Sequence, residues 1–247
     1  MLNQMEGIVL KTRDYGETHK IITIFTKKLG IISAICRGAN KPKSKLTAVA
    51  QNFIEANFLI YVTKGLSTVQ QGQILASHRH IREDIIKTAY TAYIIELTDK
   101  ILETRSPQPL LYDQLQKTLQ YINTHEHYAI PVIMYELKMY QAGGFAPVVD
   151  YCVRCTRQEP PYTFSVQEGG FLCPNCSSSD IYAVQIPQAF SKILPILMHA
   201  GLERIGNISI KRENELLLRN LLDQYYDQFG GFSLKSKRFL NQIDRLQ

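Results

Sequence analysis

Two hydrophobic periodicities divide the chain. Up to residue 77, apolar and β-branched residues come in short runs: Glu6 to Thr12, Lys20 to Lys27, Ile31 to Arg37, Phe53 to Thr63 and Thr68 to Ala76. These runs are rich in Ile, Val, Phe and Thr, which suit a pleated, half-buried surface. Turn-forming sequences part them: Asp14-Tyr15-Gly16, Lys28-Leu29-Gly30, a polar stretch from Gly38 to Lys45, and Lys64-Gly65-Leu66-Ser67. Five strands in so short a segment predict a small closed barrel, because closure removes exposed sheet edges. The oligonucleotide-binding (OB) fold is one such barrel.

After His80 the period lengthens. Ile81, Ile85, Ala89, Tyr93, Leu97 and Ile101 recur every fourth residue and predict one long helix, which stops at Ser106-Pro107-Gln108-Pro109. A second helix follows from about Leu110 to Asn123 and a third from about Tyr128 to Ala142, closed by Gly143-Gly144. Beyond residue 182, helices are predicted over Pro187 to His199, with Pro195 inside, over Glu213 to Phe229, and over Lys235 to Leu246. The fold class is therefore α+β and multidomain: a five-stranded OB barrel over 1–80, then an all-α domain over 81–247, interrupted at about 148–182 by a four-cysteine segment.

That segment carries the sharpest chemistry. Cys152-Val-Arg-Cys155 and Cys173-Pro-Asn-Cys176 have the paired spacing of two thiolate knuckles around one zinc ion. With all four ligands supplied by protein, no position is left for water or substrate, so the metal is structural. The other reading, disulfides or unconnected thiols, must explain paired spacing without a secretory context. No basic-then-apolar leader opens the chain, and no segment nears the roughly 20 apolar residues that span a bilayer. The expected setting is cytoplasmic, with Cys36 an unpaired, buried strand residue.

Charge is unevenly placed. Of a net +6, residues 1 to 80 hold eleven basic and four acidic residues, and the remainder holds 17 and 18. A basic module joined to a nearly neutral one points to a polyanion for the first, although surplus lysines also serve solubility. Arg37-Gly-Ala-Asn-Lys41-Pro-Lys43-Ser-Lys45 places four cations in nine residues of a predicted loop, a composition suited to following a phosphate backbone. With Arg13 and Lys20 at the neighbouring turn, these are the candidate nucleic-acid contacts. Tyr15, Phe25, Phe53, Phe58 and Tyr61 supply ring faces nearby, of which Tyr15 is the candidate for base stacking.

Other chemistry is missing from the pattern. There is no phosphate-cradling G-x-x-x-x-G-K-[ST] and no G-x-G-x-x-G. The pairs His78-x-His80 and His125-x-His127 lie at element boundaries without carboxylates at ligand spacing, and read as surface or capping residues. Glu83-Asp84 reads as a helix start, where negative charge suits the dipole. No general acid and base pair is visible, so no catalytic residue is assigned.

Tyr15-Gly16-Glu17-Thr18, Thr23 to Gly30, Arg37-Gly38-Ala39 with Lys41-Pro42-Lys43-Ser44, and Leu234-Lys235-Ser236-Lys237-Arg238-Phe239-Leu240 together resemble the RecO family of bacterial recombination mediators, in the Gram-positive form that keeps the cysteines. The resemblance covers the whole chain. It implies binding to single- and double-stranded DNA, annealing of complementary strands, cooperation with RecR to load RecA, contact with the C-terminal tail of single-stranded DNA-binding protein, and a nucleoid-associated location. An RNA- or ribosome-binding zinc adaptor is the alternative, with a zinc-dependent nucleic-acid enzyme behind it. The terminal segment has two readings. In one, Phe239, Leu240 and Ile243 dock on the helices and Lys235, Lys237 and Arg238 stay solvated; in the other, those cations flank a groove for the acidic tail of the single-stranded DNA-binding protein.

Overall fold

The computed structural model describes residues 1–207 and 210–244 of the 247-residue chain. They form two compact units, one of Met1–Glu126 with Leu234–Gln247 and one of His127–Ser233.

In the first unit, β1 (Leu2–Tyr15), β2 (His19–Thr26), β3 (Gly30–Cys36), β4 (Glu55–Tyr61) and β5 (Ser67–Ala76) close a barrel in the order β1-β2-β3-β5-β4. Every pairing is antiparallel except β3 with β5, which is parallel and joins Ala34 to Ser67 and Ile35 to Thr68. A short helix, α1 (Leu46–Val49), lies between β3 and β4. This is the OB arrangement. Alternation puts Ile22, Ile24, Ile32, Ala34, Phe58 and Ile60 inside. A register shift between Val9 and Lys11 lets the 14-residue β1 pair with β4 along its first half and with β2 along its second.

The predicted long helix is two. Asp84 stands in extended conformation between α2 (Arg79–Glu83) and α3 (Ile85–Ile101), and its carboxylate accepts from the N–H groups of Ile86 and Lys87 at 2.8 and 3.0 Å. The cap satisfies two N–H groups that the break would otherwise leave without partners. α4 (Pro109–Thr124) then packs on the outside of the barrel, and α3 lies against β1. Phe25 meets Tyr112 edge-on at 5.5 Å, Lys27 pairs with Asp113 at 2.7 Å, and Gln116 donates to Glu55. At Gly30, with φ +69, the backbone of Ser106 fills the space a Cβ would need, so only glycine fits. Compact grouping thus crosses residue 80, because the apolar faces of these helices have barrel strands to bury against. His78, expected as a surface or capping residue, is the N-cap residue of α2 but is 4% exposed, with its Nε2 3.8 Å from Glu55.

The second unit holds α5 (Ala129–Ala142), a sheet of β6 (Thr163–Ser165), β7 (Gly170–Leu172) and β8 (Val184–Gln185) in the order β7-β6-β8, then α6 (Phe190–His199) and α7 (Arg212–Phe229). The sequence reading drew no strands here. Around Tyr140, the rings of Phe145, Tyr225 and Tyr226 lie with centroids 4.8 to 6.2 Å away. Beside them Arg219 Nη1 donates to the fully buried Glu136 at 2.9 Å, and the Tyr140 hydroxyl donates to its other oxygen.

The last helix, α8 (Lys235–Asp244), belongs to the first unit and packs on α3. Glu96 of α3 receives the N–H groups of Lys235 and Ser236 and the Ser236 hydroxyl, so a carboxylate sits at the helix N-terminus.

Candidate nucleic-acid interface and metal site

The β1–β2 hairpin and the connection from β3 to α1 meet at one end of the barrel. Asn40 N donates to Thr18 O at 2.9 Å, Asn40 Nδ2 to Asp14 Oδ1 at 2.9 Å, and Gly38 N to His19 Nδ1 at 2.9 Å. Thr47 Oγ1 closes the loop onto Ala39 O at 2.5 Å. Gly38 and Lys43 adopt φ of +71 and +65, which turn the chain tightly enough to keep the loop on the hairpin.

All six candidate DNA contacts lie on these two segments. Arg13 is exposed on β1, Lys20 is half-buried on β2, and Arg37, Lys41, Lys43 and Lys45 are exposed along the loop. Lys20 reaches Asp14 at 3.0 Å. The Asn40 amide, and then Lys20, hold the Asp14 carboxyl below the usual carboxylate range. Sequence reasoning missed the anchoring residues Asp14, Thr18, His19 and Asn40. None stands in a spacing that announces such a role, because the bonds join positions 19 or more residues apart.

Charge separates the units as well. The first carries 20 basic and 12 acidic residues, the second 8 and 10. Net charge therefore favours a polyanion at the first unit over the second.

In the second unit the β6–β7 hairpin brings the cysteine knuckles together. Val153 N donates to Phe171 O at 2.7 Å, which sets the first knuckle beside β7, and the second follows β7 directly. Each knuckle closes on itself: Thr156 N to Cys152 O at 2.8 Å, and Cys176 N and Ser177 N to Cys173 O at 2.9 Å. The Sγ atoms of Cys152, Cys155, Cys173 and Cys176 all lie within 4.8 Å of one another, with Cys155 and Cys173 3.6 Å apart. Sulfurs about 2.3 Å from a common ion stand about 3.8 Å apart in a tetrahedron. The cluster could therefore hold a metal ion. Burial raises the Cys152 thiol, but the N–H groups of Cys173, Cys155 and Arg154 outweigh it and bring it to about 6. The Cys155 thiol first, then burial and its other neighbours, push Cys176 up to about 12. Four sulfurs so crowded hold one negative charge readily and resist further ones, a repulsion that a divalent cation removes. Cys36 lies apart, fully buried on β3, where burial pushes its thiol up to about 12.

The terminal segment is mixed in character. Lys235 and Arg238 are exposed and Phe239 is 42% exposed, whereas Lys237, expected in solvent, is 5% exposed. It shares the buried stripe of Leu234 and Leu240, three residues to either side, so its stem lies along the packed face of α8. The histidine pairs form no metal cluster among the described residues. Among those residues, too, no helix is long and apolar enough to cross a membrane.

The family models for the N-terminal and C-terminal parts of recombination protein O match residues 1–78 and 82–238. The chain is 51% identical over 244 residues to the DNA repair protein RecO of Oceanobacillus iheyensis, covering 99% of this chain and 95% of that one. It is 42% identical over 247 residues, the full length of both chains, to the proteins of the same name from Bacillus mycoides and Bacillus anthracis. An OB barrel with a basic end, joined to a unit with a tetrathiolate cluster, thus defines a class of DNA repair protein. The chain belongs to the RecO family.

Proposed function

We propose that this chain is a non-enzymatic mediator of recombinational repair. It binds single- and double-stranded DNA through Arg13, Lys20, Arg37, Lys41, Lys43 and Lys45, and it anneals complementary strands. With RecR it helps load RecA onto DNA coated by single-stranded DNA-binding protein, whose acidic tail α8 receives beside Lys235 and Arg238. The observation that carries the DNA reading is the gathering of six cations on two hydrogen-bonded segments at one end of a barrel. Neutralising backbone phosphates lowers the repulsion between two strands, and base pairing supplies the selectivity. No bond is made or broken, in keeping with a cytoplasmic, nucleoid-associated protein that acts by binding.

Cys152, Cys155, Cys173 and Cys176 hold one structural zinc in this reading. With the ion bound, the four thiolates leave the centre at −2, which deepens the acidic balance of the second unit and directs DNA to the first.

A strand-annealing assay without nucleotide, run with and without single-stranded DNA-binding protein, tests the whole proposal. Annealing in both arms, lost at high salt, is the expected result. Absence of annealing in both arms, or preference for RNA in a competition assay, transfers the function to an RNA-binding adaptor.

A further inference from the structure

Five aromatic rings of the barrel were open to a role in binding bases, and burial separates them. Phe25, Phe53 and Phe58 are in the core, which leaves Tyr15 and Tyr61, 52% and 51% exposed. They occupy opposite ends of β1. Tyr61 pairs with Leu2 at its beginning, while Tyr15 is its last residue and pairs with His19. Only Tyr15 stands among the candidate DNA contacts.

Its setting is specific. Tyr15 follows Lys11 and Arg13 at alternate, exposed positions of β1, so the three lie on one face of the strand. The preceding residue, Asp14, and the cross-strand partner, His19, are both anchor points of the 37–45 loop. The hairpin turns at Gly16, φ +60, where nothing lies within 4 Å of the Cβ position, so no other segment covers the turn next to Tyr15. Among the described residues no side-chain hydrogen bond or ring contact engages Tyr15. A large ring left half in water, unpartnered, within a cluster of six cations has the two components of a single-strand platform: charge for the backbone and a face for a base.

We infer that Tyr15 stacks on one unpaired base and gives the barrel its preference for single-stranded over duplex DNA. This rests on the DNA-binding reading above. Lysine and arginine contacts to phosphate cannot make that distinction alone, because duplex DNA offers the denser charge. A base already stacked in a duplex has no face to give.

The test measures affinity of the full chain for oligo(dT), for the same backbone without bases, and for duplex DNA of equal length, in the wild type and in Tyr15→Ala, Tyr15→Phe and Tyr61→Ala, each checked for an unchanged melting temperature. Tyr15→Ala should weaken oligo(dT) binding about 5- to 100-fold, leave duplex binding and the salt slope unchanged, and bind oligo(dT) no better than the abasic strand. Tyr15→Phe and Tyr61→Ala should behave as the wild type. Equal losses on oligo(dT) and duplex, no loss on either, or wild-type binding that ignores the removal of bases would overturn the inference while leaving the cationic site standing. A wild type that binds none of the three with salt dependence would overturn the site and the inference together.

Discussion

Asn40 Nδ2 donates to Asp14 Oδ1 at 2.9 Å, joining residues 26 positions apart and holding the basic loop against the β1–β2 hairpin. The same carboxylate oxygen receives Lys20 at 3.0 Å. Asp14 is thus an anion built into a cationic patch, where it orders two of its neighbours at the cost of one charge. Asn40→Ala should release the loop. The carboxylate that accepts this bond stands in solvent, which screens it, so DNA affinity should fall only roughly fivefold or less. Amide hydrogen exchange over residues 37–45 should quicken, while the salt slope stays that of the wild type. Unchanged exchange would show that the Gly38–His19 and Asn40–Thr18 bonds hold the loop without this one.

Removing the charges has a different signature. Changing Lys41, Lys43 and Lys45 together to Ala should reduce the slope of log affinity against log salt by about 0.7 for each single-strand phosphate no longer neutralised. The loss should be alike for every DNA sequence, because exposed lysines on a loop read backbone and not base edges. An unaltered slope would take the loop off the binding surface.

How far the sequence reaches is clear from these elements. The five strands and most helices were legible because alternation and the four-residue period are local signals. The cysteine cluster was legible because its chemistry fixes its spacing. The break at Asp84, the small sheet around the cysteines and the packing of α3 and α4 on the barrel were not. The last two depend on partners distant in sequence, Tyr112 for Phe25, Ser106 for Gly30 and Phe171 for Val153, whereas Asp84 breaks the helix by a local cap onto Ile86 and Lys87 that competes with an unbroken apolar period. The basic loop could be named from composition, but what holds it in place could not.

The four-cysteine cluster predicts one zinc per chain, measured by elemental analysis. Cys173→Ser should lose it and unfold the second unit before the first, because metal-binding free energy is folding free energy. Cys36→Ser should keep the metal. Limited proteolysis should cut residues 127–233 of the Cys173→Ser protein while the barrel persists. Simultaneous loss of both units would mean that they do not fold separably, and wild-type protein with four titratable thiols and no metal would exclude the site.

Glu96 ties α8 to α3 through a charge that titrates. Burial raises its carboxyl, but the Ser236 hydroxyl and the N–H groups of Ser236 and Lys235 outweigh that and lower it below the ordinary value of 4.5. A group lowered in the folded state stabilises fully above its unfolded pKa, and that contribution fades as pH falls through the folded value. Docking of α8 should therefore be constant at neutral pH and weaken below about pH 4.5. Glu96→Gln should cost about 1 kcal/mol at pH 7 and abolish this part of the acid dependence. An identical acid melting profile in the variant would assign the dependence to other carboxylates.

The burial of Lys237 turns the reading of α8 into a separable experiment. If the cations beside Phe239 steer the acidic tail of single-stranded DNA-binding protein, only those in solvent can do so, and these are Lys235 and Arg238. Lys235→Glu with Arg238→Glu should abolish binding of the tail peptide, leave the melting temperature within a degree or two, and spare annealing of naked DNA. Lys237→Glu should act oppositely. It places a carboxylate in the stripe of Leu234 and Leu240 on the packed face of the helix, so it should lower stability by roughly 2 kcal/mol or more and weaken the peptide only by undocking α8. Phe239→Ala adds a third signature, lost peptide affinity with both charge and fold intact, because a half-exposed ring is available for burial by a partner. Unchanged peptide affinity in Lys235→Glu with Arg238→Glu would leave α8 as a docking helix and move the tail site elsewhere on the chain.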